Sequence, residues 1–202
     1  CDTNGGTLTN EIYETTKSVC EQFKDTKFGI HCHNDIELAV ANTITAIDAG
    51  VIQVQGTING YGERCGNTNL CSLIPTLELK KNINCLVNPD NISMITEVSK
   101  YVDEVANHIS NPNSPYVGNL AFTHKAGAHI NAVNKNTKSF EHINPEIVGN
   151  TRRKVVSELA GKSAIFEIAQ KYSTDISKND EGLIKCIETI KELEKNGYQF
   201  ED

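Results

Sequence analysis

The sequence predicts an α/β protein built on a parallel sheet, with a mostly helical region behind it. Three observations carry this expectation. Short β-branched runs alternate with amphipathic helices over roughly the first 80 residues, joined by short loops. That alternation then stops. A Pro/Asn-rich stretch, "SNPNSPYVGN" at 110–119, divides the chain, giving an expected domain over 1–109 and helical subdomains over 110–202.

Each element has its own signal. "CDTNGG" opens the chain and reads as the end of a strand, from which we expect a piece of a longer protein. Leu8, Ile12, Thr16, Val19 and Phe23 recur at helical spacing and predict a helix over about 7–24. "KFGIHCH" is a short apolar strand. From Asp35 onward, Val40, Ala41, Ile44 and Ile47 predict a second helix, closed by Gly50 as its C-terminal cap. "VIQVQGT" (51–57) alternates like a half-buried strand, and a glycine-rich loop leads to a third helix over about 69–80. "PDNISMITEVSKYVDEVANH" (89–108) predicts one helix whose apolar face is Ile95, Val98, Val102 and Val105. Further helices are expected over 163–172 and about 180–196, the last ended by Gly197.

Composition narrows the function. The chain has 202 residues, 38% hydrophobic and 22% charged, with a formal charge of -7. An acidic protein is not drawn to nucleic acid or to an anionic membrane, so neither is an expected partner. No apolar run reaches the roughly 18 residues of a membrane span. Seven cysteines, none in a CxxC pair, suit reduced thiols and a cytoplasmic location.

The chemistry concentrates in two places. "HCHND" (31–35) puts His31 and His33 on one face of a strand, about 6–7 Å apart, because side chains alternate with period two. Two such imidazoles can share a divalent metal if oxygen ligands complete the set. Alternatively, one histidine packs and the other is solvated. "GTINGYGERCGN" (56–67) holds Glu63, Arg64 and Asn67 among Gly56, Gly60, Gly62 and Gly66. Arg64 can pair bidentately with a carboxylate. Asn67 can cap the following helix or turn its amide oxygen toward a metal, and a plain tight turn is the alternative. The spacing does not match a GxGxxG dinucleotide loop.

As an ordered set, "DTNGG", "HCHND", "GTINGYGERCGNTNL", "AFTHKAGAHINAV" and "VSELAGKSA" resemble the acyl-CoA/2-oxoacid condensing enzymes. These are the 2-isopropylmalate, homocitrate and citramalate synthases, with the hydroxymethylglutaryl-CoA lyase barrel a more distant relative. The resemblance implies the C-terminal part of a (β/α)8 TIM barrel followed by linker subdomains. It implies a divalent ion (manganese, magnesium or zinc) held by His31 and His33, with Asn67 at the metal. It also implies Thr3 on the 2-oxoacid carboxylate, Arg64 in substrate binding, and Glu63 in the catalytic group. His129 is implied as the acid/base, reaching a partner subunit's site in a homodimer, with His124 as runner-up. Substrates would be acetyl-CoA and a 2-oxoacid; "INGYGERCGN" and "VSELAGKS" resemble the citramalate group most, which makes pyruvate the expected 2-oxoacid. Isopropylmalate or homocitrate synthesis, lyase-type cleavage, and an inactive fragment are the alternatives. Phe140 stands where the family tends to place a tyrosine, and the family's Asp-Arg-Glu strand and mid-barrel glutamate are not in this sequence.

Overall fold

The computed structural model describes residues 1–124, 136, 140–154, 166, 169, 170, 177 and 181–198. The chain divides into two compact units, Cys1–Gly118 and Asn119–Asp202. Helix and strand alternate over the first four described elements, an α/β arrangement, and helical segments then follow one another up to residue 105.

In the first unit, α1 (Thr9–Gln22) precedes β1 (Gly29–His31), α2 (Ala39–Asp48) and β2 (Gln53–Gln55). The two strands pair in parallel, with Gly29 opposite Gln53 and His31 opposite Gln55. The expected strand end at the start of the chain is present too. Asp2 bridges Cys32 in parallel, its N–H donating to the His31 carbonyl (2.9 Å) and its carbonyl accepting from His33 N–H (3.1 Å). Ile12, Ile30, Cys32, Ala39, Ala46 and Val51 form the core beneath these strands. Cys32 faces inward, so its neighbours His31 and His33 face the other side.

The helix expected over 7–24 is confirmed, but its apolar stripe is only partly used. Ile12 is buried, while Leu8 and Phe23 stay half exposed, because α1 packs chiefly along α2. The second helix starts at Ala39 rather than Asp35. Glu37 takes a left-handed φ of 64°, making a turn in which its N–H donates to the Asn34 carbonyl. The Asn34 side chain then accepts from Ala39 N–H (3.1 Å) and serves the helix start. At the other end Val51 N–H donates to Ala46 O and Gly50 N–H to Ile47 O, a Schellman closure that uses the positive φ of Gly50.

Helix α3 (Leu70–Thr76) carries Pro75, which cannot donate to the carbonyl four residues back, and continues as a wider turn over Leu77–Lys81. The single helix expected over 89–108 is instead a 3-10 segment, Pro89–Met94, followed by α4 (Ile95–Val105). Its buried residues also differ from expectation. Ile95 is buried as expected, but Thr96, Ser99 and Asp103 are buried with it and Val105 is exposed, because α4 faces a polar loop rather than an apolar surface.

In the second unit β3 (Thr123–His124) pairs in parallel with β4 (Arg153–Lys154). A final helix, α5 (Glu181–Lys195), is followed by Gly197 at φ 92°, close to the expected bounds. The helix expected over 163–172 falls largely outside the described residues, as do His129 and "VSELAGKS".

Candidate functional site

The glycine-rich loop is folded back onto the end of β1 by main-chain bonds. Thr68 N–H donates to Cys32 O (3.1 Å), Asn34 N–H to Gly66 O (2.9 Å) and Asn67 N–H to Gly60 O (2.9 Å). His33 and Asn67 thereby become bridge partners across the fold. The turn tolerates little bulk. Gly66 has φ 88°, and a Cβ on Gly62 would run into the Asn67 carboxamide.

His31 and His33 lie with ring centroids 5.1 Å apart and planes at 76°. Three buried atoms here have no hydrogen-bond partner among the described residues: His31 Nδ1, His33 Nδ1 and Asn67 Oδ1. Leaving several buried polar atoms unsatisfied is costly, and three lone-pair donors on neighbouring residues suit a divalent cation. Asn67 is not the helix cap. That role belongs to Asn69, whose Oδ1 accepts from Cys71 N–H (2.9 Å), while Asn67 Nδ2 donates to Tyr61 O (3.0 Å) and leaves Oδ1 free. Among the described residues no group of three or more His, Cys, Asp or Glu side chains could hold an ion, so a carboxylate ligand is not among them.

Thr3 and Arg64 line one recess of 730 Å³ with Asp2, Asn4, Thr7 and Asp35. The guanidinium is already engaged. Arg64 Nε donates to Asp35 Oδ1 (2.7 Å), and one Nη donates both to Asp35 Oδ2 (3.0 Å) and to the Thr3 carbonyl (3.0 Å). Hydrogen bonding from Arg64 holds the Asp35 carboxyl below the usual carboxylate range, and Asp35 raises Arg64 in turn. Arg64 adopts this pose from a left-handed φ of 58°, uncommon for a residue with a side chain. Glu63 is exposed, with Arg64 Nη1 3.7 Å from its carboxylate.

The loop's other side is tied to α4 by a polar network that sequence reasoning missed. Asn59 Nδ2 donates to Ser99 O (2.8 Å) and to Asp103 Oδ1 (2.5 Å), and Ser99 Oγ donates to Asn59 Oδ1 (2.6 Å). Tyr61 Oη donates to the same Asp103 oxygen (2.6 Å), which pushes the phenol up to about 12. Burial works to raise Asp103, yet hydrogen bonds from Ser110, Tyr61 and Asn59 leave it below its ordinary value. The signal available was a Ser and an Asp at i, i+4 on one face of α4.

A second missed cluster lies in the second unit. Buried Glu141 accepts two bonds from Arg152 (2.6 Å each) and contacts His124 Nε2 (2.9 Å). His124, the runner-up for acid/base, is therefore committed to a carboxylate. Burial raises the thiols of Cys32 and Cys71, and all seven cysteines are free.

A family model described as HMGL-like matches residues 1–102, and one described as homocitrate synthase post-HMGL domain-like matches 116–198. The whole chain aligns at 53% identity with (R)-citramalate synthase of Aquifex aeolicus, at 45% with that of Geobacter sulfurreducens and at 47% with that of Sulfolobus acidocaldarius. It spans 38% of the length of each of these relatives. The histidine pair, the folded-back glycine loop and the Thr3 recess all fall inside the first matched span, and the chain belongs to the HMGL-like family.

Proposed function

We propose that this chain contributes a metal-binding and substrate-binding surface to an acyltransferase that condenses acetyl-CoA with pyruvate to give citramalate. The observation that carries the reading is the trio of unsatisfied buried atoms, His31 Nδ1, His33 Nδ1 and Asn67 Oδ1. Its support in sequence is the family membership and the name (R)-citramalate synthase borne by relatives matching the full chain. In this reading residues 1–109 are the last βα units of a (β/α)8 barrel and 110–202 are linker subdomains.

His31, His33 and Asn67 would hold the divalent ion, which when bound supplies Lewis acidity toward a ketone oxygen. Thr3 takes the 2-oxoacid carboxylate at the recess. Arg64 acts there through its fixed bonds to Asp35 and the Thr3 carbonyl, shaping the pocket wall. Glu63, exposed on the same loop, belongs in this reading to the catalytic group. His129 moves the proton between the acetyl methyl carbon and solvent, since an imidazole titrates near working pH. The acetyl carbon then bonds to the ketone carbon as the carbonyl π pair moves to oxygen, which takes up a proton from solvent, and water cleaves the thioester to give the carboxylate and free CoA thiol. We infer a homodimer in the cytoplasm, acting in branched-chain amino-acid biosynthesis.

The test is release of free CoA thiol by the full-length gene product with pyruvate, 2-oxoisovalerate or 2-oxoglutarate. Pyruvate should give the highest kcat/KM. A value for 2-oxoisovalerate higher by about tenfold, the scale on which pockets sort added methyl groups, would move the assignment to isopropylmalate synthesis.

A further inference from the structure

A carboxamide has two ends of opposite character, and only its oxygen can bind a cation. Which end of Asn67 faces the histidines is decided outside the site. Asn67 Nδ2 donates to the Tyr61 carbonyl (3.0 Å), which also accepts from Thr57 Oγ1 (2.5 Å). Turning the amide over would set Oδ1 against that carbonyl, two acceptors with no proton to share. Tyr61 is itself held from α4. Its hydroxyl donates to buried Asp103 (2.6 Å), its ring lies 5.3 Å from that of His108, and Asn59 braces the same carboxylate. Gly62, the next residue, leaves the room that the carboxamide occupies.

We propose that Asp103 and Tyr61 are positioning residues for the candidate metal site. Asp103 holds Tyr61 by its hydroxyl, Tyr61 holds Asn67 by its carbonyl, and Asn67 is left presenting Oδ1 beside His33. This rests on the reading of His31, His33 and Asn67 as metal ligands. Helix α4, which supplies none of the three candidate ligands, thus sets the affinity of the site.

The experiment titrates manganese alone into the full-length gene product and reads free Mn²⁺ by electron paramagnetic resonance. Tyr61→Phe and Asp103→Ala should each weaken binding by about tenfold or more, the usual cost of losing a residue that orients a ligand. Asp103→Asn keeps an acceptor for the Tyr61 hydroxyl and should recover most of that loss. Tyr116→Phe removes a hydrogen bond to Thr76 in the same unit and should leave affinity within about twofold of wild type. Tyr61→Phe deletes a single oxygen, so folding is retained and circular dichroism verifies it. The relay is overturned if Tyr61→Phe and Asp103→Ala both bind within about twofold of wild type while His31→Ala abolishes binding. If His31→Ala binds like wild type, the metal reading fails and takes the relay with it.

Discussion

Glu141→Gln should destabilise the second unit by an amount that depends on pH. The carboxylate side chain is 2% exposed and accepts two short hydrogen bonds from Arg152 and one contact from His124. Breaking a buried ion pair costs about 3–5 kcal/mol when one charge is left stranded. Two features reduce that here. The Arg152 side chain is 26% exposed and regains some hydration, and glutamine keeps one acceptor oxygen. We therefore expect a loss of about 2–3 kcal/mol at neutral pH. The pH dependence follows from the direction of the shift. Hydrogen bonding from Arg152 outweighs burial and holds Glu141 below its ordinary value of 4.5. The unfolded chain then binds more protons than the folded one in acid. The contribution is present above pH 4.5 and is lost as pH falls through the depressed folded value. The gap between wild type and Glu141→Gln should be level from about pH 7 to 5 and should narrow below that. Hydrogen exchange of the β3 and β4 amides, followed across this range, reads the unit directly. A gap as wide at about pH 3 as at pH 7, or a neutral-pH loss below about 0.5 kcal/mol, would refute the reasoning.

Gly62→Ala should drive a methyl group into the Asn67 carboxamide, costing about 1–3 kcal/mol as overpacking and lowering manganese affinity; unchanged melting and manganese titration would count against the packed loop. His129 is proposed to serve a partner subunit. Mixed His31→Ala and His129→Ala proteins, each down by about 10²-fold or more alone, should recover up to about a quarter of wild-type activity after subunit exchange. No recovery with verified heterodimers would place His129 in its own subunit's site or in none.

The parallel βα run was legible because its elements bury apolar side chains at their own periods. Ile12 is buried as the spacing predicts, but on α2 the buried residues are Ala39, Asn42, Thr43 and Ala46, while the expected Val40, Ala41, Ile44 and Ile47 are only partly covered. The histidine pair was legible for the same reason, as the outward face of a strand whose inward face is Cys32. What escaped depends on partners distant in sequence. Asp35 claims the Arg64 fork from 29 residues away, and no local pattern reports that. On α4 the valines looked like the buried face, but the surface opposite offers Asn59 and Tyr61, so Ser99 and Asp103 are buried there instead. Glu141, Arg152 and His124 sit on separate segments and meet only in three dimensions.

The alternation His31, Cys32, His33 has a consequence for how the sequence can change. A strand shifted by one residue exchanges its faces entirely. Such a slip in β1 would carry both imidazoles into the core now filled by Cys32, which is 0% exposed, and would turn the thiol outward. Burying an unpartnered polar ring costs about 1–3 kcal/mol, so the misregistered chain is penalised twice over. Folding therefore proofreads the site, because the packing that admits Cys32 is the packing that turns the histidines out. Insertion or deletion of one residue between Gly29 and His33 should be purged as a folding defect before any catalytic test applies. A change of two residues restores the phase, which makes the segment tolerant of length changes only in even steps.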